Sequence, residues 1–97
     1  MWIGWLELDL LLGDVHSLKA KRSAVRPVVA ELRRRFEVAA AEVGSLDLHR
    51  RAGIGVAVVA ADAAHVTDVL DAVESCVAGR PEVDLLSVRR QLRRSDD

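Results

Sequence analysis

Four basic side chains follow one side of a helical segment near the N-terminus. Lys19, Arg22, Arg26 and Arg33 fall within a sector of roughly 60° when the chain turns by about 100° per residue. A row of cations is typical of contacts with phosphate groups, and the N–H groups at a helix N-terminus also favour an anion. The pattern predicts a phosphate or RNA-backbone site. The residues predicted to bind nucleic acid are Lys19, Arg22, Arg26, Arg50 and Arg51, the last two from a following hairpin.

Lys21 differs from these residues because it lies within the apolar face of the same helix. An ammonium group in such a place needs a partner, since burying an isolated charge is costly. Glu42 has the same parity as Val38 and Ala40 in a following strand, so it faces the helices if they do. We therefore expect a structural ion pair between Lys21 and Glu42.

No other group of residues has a spacing that indicates catalysis or metal binding. His16 and Ser17 suggest a base and a nucleophile, but neighbours in sequence rarely form a working pair, and Ser17 is expected to cap the helix. The three histidines are too scattered for a metal site. Cys76 is the single cysteine, which excludes a disulfide and fits a reducing cytosol. We expect no catalytic residue, no metal, no cofactor and no enzymatic activity.

Apolar periodicity predicts the elements that position these residues. Strands are predicted at residues 2–12, 36–43, 51–61 and 83–92, and helices at residues 16–36 and 62–79. Asp62 is the expected cap of the second helix, which Gly79 ends. Pro27 lies deep in the first helix, where proline costs about 3 kcal/mol. It predicts either a kink or a helix that begins only near Ser23.

The order of these elements is strand, helix, strand, strand, helix, strand. It predicts an α+β fold, a ferredoxin-like βαββαβ sandwich with two helices on one face of a four-stranded antiparallel sheet. Residues 1–92 form the single predicted domain, and residues 93–97 form a charged tail. Because the two helices lie side by side in this fold, the acidic second helix is one candidate to neutralise the basic first helix.

The sheet face without helices is predicted to be smooth and largely apolar. Glu7 and Asp9 in the first strand argue against its complete burial. Exposed apolar patches of this kind usually mark an interface, so we expect a homodimer with sheet faces apposed. The candidate interface residues are Trp5, Leu11, Ala39, Ala41, Ala57 and Val59.

Three segments of the chain resemble a known bacterial family. They are residues 16–22 (HSLKAKR), 36–44 (FEVAAAEVG) and 51–59 (RAGIGVAVV). With these segments the whole chain is similar to the YlxP-like family, a domain of unknown function numbered 503. The resemblance implies a ferredoxin-like fold and a cytoplasmic protein whose genes accompany translation and ribosome-maturation factors.

Composition and residue types narrow the function classes. The net charge of −1 gives no overall attraction to nucleic acid, so any RNA contact must come from local basic surfaces. Readout by base stacking needs aromatic residues on the central strands, and the first strand offers only Trp5 there. No segment has the roughly 20 apolar residues of a membrane span. We predict a cytoplasmic protein that binds RNA or the ribosome; the alternative is a homodimeric structural or small-ligand regulatory module.

Overall fold

The chain forms four strands and two helices in a computed structural model, which describes residues 1–97. The elements are β1 (Trp2–Leu12), α1 (Leu18–Phe36), β2 (Ala39–Gly44), β3 (Arg51–Ala60), α2 (Ala63–Ala78) and β4 (Val83–Arg94). All strand pairs are antiparallel, and the strand order in the sheet is β2-β3-β1-β4. This topology confirms the predicted ferredoxin-like α+β fold.

Strand β1, one of the two central strands, contributes a row of leucines to the core. Its even-numbered leucines, from Leu6 to Leu12, are buried beneath the helices, as the alternation of the sequence predicts. Burying one such side chain stabilises the fold by about 1.5–3 kcal/mol. Gly4 continues the same row, and a Cβ atom built there would lie 2.3 Å from Cγ1 of Val66. Helix α2 therefore packs directly on the backbone of β1.

Helix α1 begins at Leu18, directly after the predicted cap, Ser17. The Ser17 side chain accepts a hydrogen bond from the backbone N–H of Ala20 over 3.0 Å. The helix continues through Pro27, so the prediction of a start near Ser23 is wrong. The turns before Pro27 are held by the cap and by the buried Lys21 and Val25. These contacts offset the backbone hydrogen bond that proline cannot make.

The connection from α1 to β2 is longer than the sequence predicts, because residues 37 and 38 separate the two elements. Residue Phe36 was predicted to begin a strand, but it is the last residue of α1, one turn after the buried Leu32. Glu37 then adopts a left-handed conformation with φ of 53°, and its N–H donates to the carbonyl of Arg33. This turn places β2 at Ala39 instead of at residue 36.

The other boundaries follow local signals, with one extension. Asp62 caps α2 by accepting a hydrogen bond from the N–H of His65, and Gly79 ends the helix. Strand β4 continues to Arg94, two residues past its predicted end, because Arg93 and Arg94 pair with the first residues of β1. Neither helix has the length and apolar character that crossing a membrane requires.

Candidate functional site

The basic side of α1 is exposed and without acidic partners. Lys19, Arg22 and Arg26 are all exposed, and none of them lies within 4.0 Å of a carboxylate. Their side chains emerge from successive turns of a helix whose other face is buried against the sheet. This row of cations is therefore free to contact an external anion.

Helix α2 does not neutralise the basic row, so that hypothesis is wrong. Two of its carboxylates, Asp71 and Glu74, instead bind the Arg90 guanidinium of β4 at 2.8 and 3.3 Å. The reason is the sheet order. Strand β4 is an edge strand next to β1, on which α2 packs, and Arg90 is on the face of β4 that α2 covers.

A groove of about 430 Å³ separates α1 from the edge strand β2. Its charged lining consists of Arg22, Arg26 and Arg33 on the helix and Glu42 on the strand. Arg33 donates from Nε to the carbonyl oxygen of Ala40 over 2.9 Å, which fixes its side chain at the strand edge. We call this surface, with Lys19 at its end, the basic groove.

The predicted partners Lys21 and Glu42 are brought together at the side of the basic groove. The Lys21 ammonium lies 2.8 Å from Oε2 of Glu42 and donates to the carbonyl oxygen of Ser45 over 2.6 Å. The Lys21 side chain is 2% exposed and that of Glu42 is 21% exposed. Glu42 Oε2 is buried and has no hydrogen bond of good geometry, so the ammonium charge is what compensates it. The one carboxylate in the groove is thus already paired.

Arg50 and Arg51, the other two residues predicted to bind nucleic acid, do not line the basic groove. Arg51 faces the opposite side of the sheet, where its guanidinium binds both carboxylate oxygens of Asp9. Arg50 donates from Nε to the carbonyl oxygen of Gly13 over 3.1 Å. The parity of β3 explains Arg51, because it shares a face with Gly53 and Gly55 and not with the buried Ile54.

Residues with catalytic potential contact neighbouring polar groups. His16 Nε2 lies 2.5 Å from Oδ1 of Asp14, while Ser17 serves as the helix cap. The Cys76 thiol donates to Oε1 of Glu31 over 3.2 Å, and burial, with this hydrogen bond, raises the pKa of Cys76. No group of three His, Cys, Asp or Glu side chains is arranged to hold a metal ion.

Glu31 of α1 binds Arg80, which follows the end of α2, in a contact that the sequence does not indicate. Arg80 donates to Glu31 over 2.7 Å and to Glu82 over 2.6 Å. The hydrogen bond from Cys76 lowers the pKa of Glu31, and Arg80 adds to this effect. The two main partners are 49 residues apart, so no local spacing could have revealed the contact.

The open face of the sheet contains a second groove, of about 610 Å³. Four predicted interface residues line it, namely Trp5, Ala39, Ala41 and Ala57, together with Val43 and Gly55. Glu7 and Arg33 are its charged residues. Val59, which lies two residues after Ala57 on the same face of β3, is 60% exposed. We call this surface the sheet groove.

Leu11, another predicted interface residue, does not line the sheet groove. It shares the open face of β1 with Trp5, but Glu7 and Asp9 lie between them. Glu7 pairs with Arg89 and Asp9 with Arg51, which makes this part of the face polar. The apolar surface is therefore limited to one end of the sheet.

Comparison with known proteins finds a family whose model covers most of the chain. Residues 3–90 match the model of a family described as "Protein of unknown function (DUF503)". The chain belongs to this family. A similar relative, "Uncharacterized protein YlxP" of Bacillus subtilis (strain 168), is 26% identical over 89 residues, covering 92% of this chain and 97% of that protein. The family assignment agrees with the resemblance found in the sequence, and its description assigns no activity.

Proposed function

We propose that this DUF503 protein is a non-enzymatic cytoplasmic binding protein that contacts the sugar-phosphate backbone of RNA through the basic groove. The observation that carries the proposal is the row of exposed Lys19, Arg22 and Arg26, which lacks internal ion pairs. Cations without partners repel one another, and an external polyanion relieves this repulsion by exchanging small counterions for phosphates.

The dimensions of the basic groove suit a nucleic-acid strand. Lys19 and Arg33 are fourteen residues apart on one helix, which corresponds to about 21 Å at 1.5 Å per residue. A contact of this length reaches several consecutive phosphates. Arginine guanidinium groups bind phosphate in a bidentate manner, and the groove has two such groups besides the strand-bound Arg33.

The residue types of the basic groove favour contacts that do not depend on base sequence. Its other lining residues, Val25, Val29, Ala30 and Ala41, carry neither an aromatic ring nor a side-chain hydrogen-bond donor. Base readout requires such groups. We therefore expect binding that follows charge and shape. Ribosomal RNA is the target tested first, because the family resemblance links the protein with translation.

Binding of a fluorescent ribosomal RNA helix, followed by anisotropy over a range of salt concentrations, tests the proposal. Replacing Lys19, Arg22 and Arg26 together by alanine should lower the salt slope by about 0.7–0.9 per lost phosphate contact. The matched control is Arg93→Ala, another exposed arginine without an ion pair, on β4. A triple variant with the affinity and salt slope of the wild type would exclude this surface as the RNA contact.

A further inference from the structure

The sheet groove is lined by residues small enough for another sheet to approach closely. Across its width, Trp5, Ala57 and Ala39 stand in register on β1, β3 and β2. The next row on this face is Glu7, Gly55 and Ala41. Small side chains form the middle of both rows. The concave surface is therefore shallow, apolar and built on hydrogen-bonded strands.

Exposed valines lie on the same face as this concave surface. Val43 is 55% exposed, and its Cγ1 would lie 3.0 Å from a Cβ atom built on Gly55. Val59 is 60% exposed and lies two residues beyond Ala57 on β3. A face that carries both a hollow and projecting apolar side chains can fit a copy of itself. An interface between identical surfaces requires this self-complementarity.

The two charged residues of the sheet groove lie on opposite sides of β3. Glu7 is on β1, where it pairs in register with Gly55. Arg33 reaches the groove from the other side, around the edge strand β2, where it binds the carbonyl of Ala40. Ala40 and Ala41 are neighbours, and Ala41 is the partner of Gly55 in β2. The acid and the base are therefore at nearly the same height along the strands, with β3 between them.

We propose that a second copy of this chain packs on the sheet groove, about a two-fold axis parallel to β3 and midway between the two sheets. This rotation exchanges the two sides of the groove. It brings Arg33 of each copy opposite Glu7 of the other copy, so that one symmetric contact forms two ion pairs. The pair between Glu7 and Arg89 does not compete strongly, because both side chains are largely exposed.

The size of the face indicates a dimer of moderate affinity. The strands β1 to β4 have 11, 6, 10 and 12 residues, neighbouring strands are about 4.8 Å apart, and each residue adds about 3.3 Å along a strand. The projected area of the face is on the order of 600 Å², whereas a standard interface buries about 800 Å² on each partner. The contact must therefore extend beyond the sheet groove to the polar surface around Asp9 and Arg51. We expect dissociation in the micromolar range.

Sedimentation velocity over micromolar to millimolar protein concentrations, applied to the wild type and to charge-reversal variants, tests this arrangement. Wild-type protein should shift from 10.6 kDa to twice that mass as its concentration rises. Glu7→Arg places two arginines opposite each other, and Arg33→Glu places two glutamates opposite each other. Either variant alone should raise the dissociation constant about tenfold or more, because like charges oppose association. Mixing the two variants restores both ion pairs and should restore the dimer.

Controls separate an effect on association from an effect on folding. Arg34→Glu makes the same charge change one residue away, outside the sheet groove, and should dimerise like the wild type. Ala57→Arg fills the groove at an exposed position and should give a monomer with a native circular dichroism spectrum and melting temperature. A monomeric wild type, single variants that dimerise normally, or a mixture that remains monomeric would each overturn the proposal.

Discussion

The buried ion pair between Lys21 and Glu42 provides the sharpest test of the stability of this fold. Glu42→Leu would leave an ammonium group whose side chain is 2% exposed, with only the Ser45 carbonyl as a partner. Lys21→Met would leave a carboxylate that is 21% exposed and partly reached by water. Breaking a buried pair typically costs about 3–5 kcal/mol. We expect Glu42→Leu near the upper end of this range and Lys21→Met near the lower end.

The double variant Lys21→Met/Glu42→Leu should be more stable than the sum of the single changes predicts. It removes both charges together, and apolar residues of similar volume can replace a buried pair at little net cost. The remaining loss is the donor to the Ser45 carbonyl, about 1–3 kcal/mol for a buried acceptor and less where water reaches it. The coupling energy should then be at least about 2 kcal/mol.

Urea unfolding of all four proteins, followed by circular dichroism, measures this cycle. Equal m-values across the set show that all four proteins expose the same amount of surface on unfolding. Lys19→Met is the control, since this lysine is exposed on the same helix without a partner, and its effect should stay within about 0.5 kcal/mol. Single effects that add to within about 0.5 kcal/mol would refute a coupled buried pair.

Two further predictions test the packing of α2 on β1 and the contacts of Glu31. Gly4→Ala should lower the free energy of unfolding by about 1–3 kcal/mol, because its Cβ would lie 2.3 Å from Val66; unchanged thermal unfolding would contradict this close packing. The folded pKa of Glu31 is lowered from 4.5 by the Cys76 thiol and Arg80, so its contribution is present above that value and is lost as the pH falls through the folded pKa. The stability difference between wild type and Glu31→Gln, measured by urea unfolding between neutral pH and about pH 3, should therefore shrink on acidification, and a constant difference would contradict it.

Local signals in the sequence account for the features that were predicted correctly. The alternation of leucines places β1, and the side chains of Ser17 and Asp62 mark the helix starts because each satisfies a free N–H of its own helix. Parity alone placed Glu42 on the face that meets Lys21. These inferences need only the period of an element and the fold topology.

Features that depend on which neighbour an element faces were not predictable in this way. Phe36 fits both the predicted helix 16–36 and the predicted strand 36–43, and its packing on the core, as the continuation of the helical face of Leu32, assigns it to the helix. The acidic residues of α2 were expected to meet α1, yet Arg90 on the edge strand reaches two of them. A helical wheel gives the angle of a side chain on its own helix and not the rotation of that helix against its neighbours.

The buried pair also bears on the charge of the basic groove. Glu42 is the one acidic residue in its lining, and it contributes a carboxylate within a row of arginines. Lys21 reaches this carboxylate from the buried face of α1, so the carboxylate is compensated without using an exposed cation. Arg22 and Arg26 consequently keep their donors free for an external phosphate. An apolar pair would stabilise the same site, but it would not tie the hairpin backbone at Ser45 to the helix that carries these arginines. The ion pair thus has two effects: it stabilises the contact between α1 and β2, and it neutralises the one carboxylate in the basic groove.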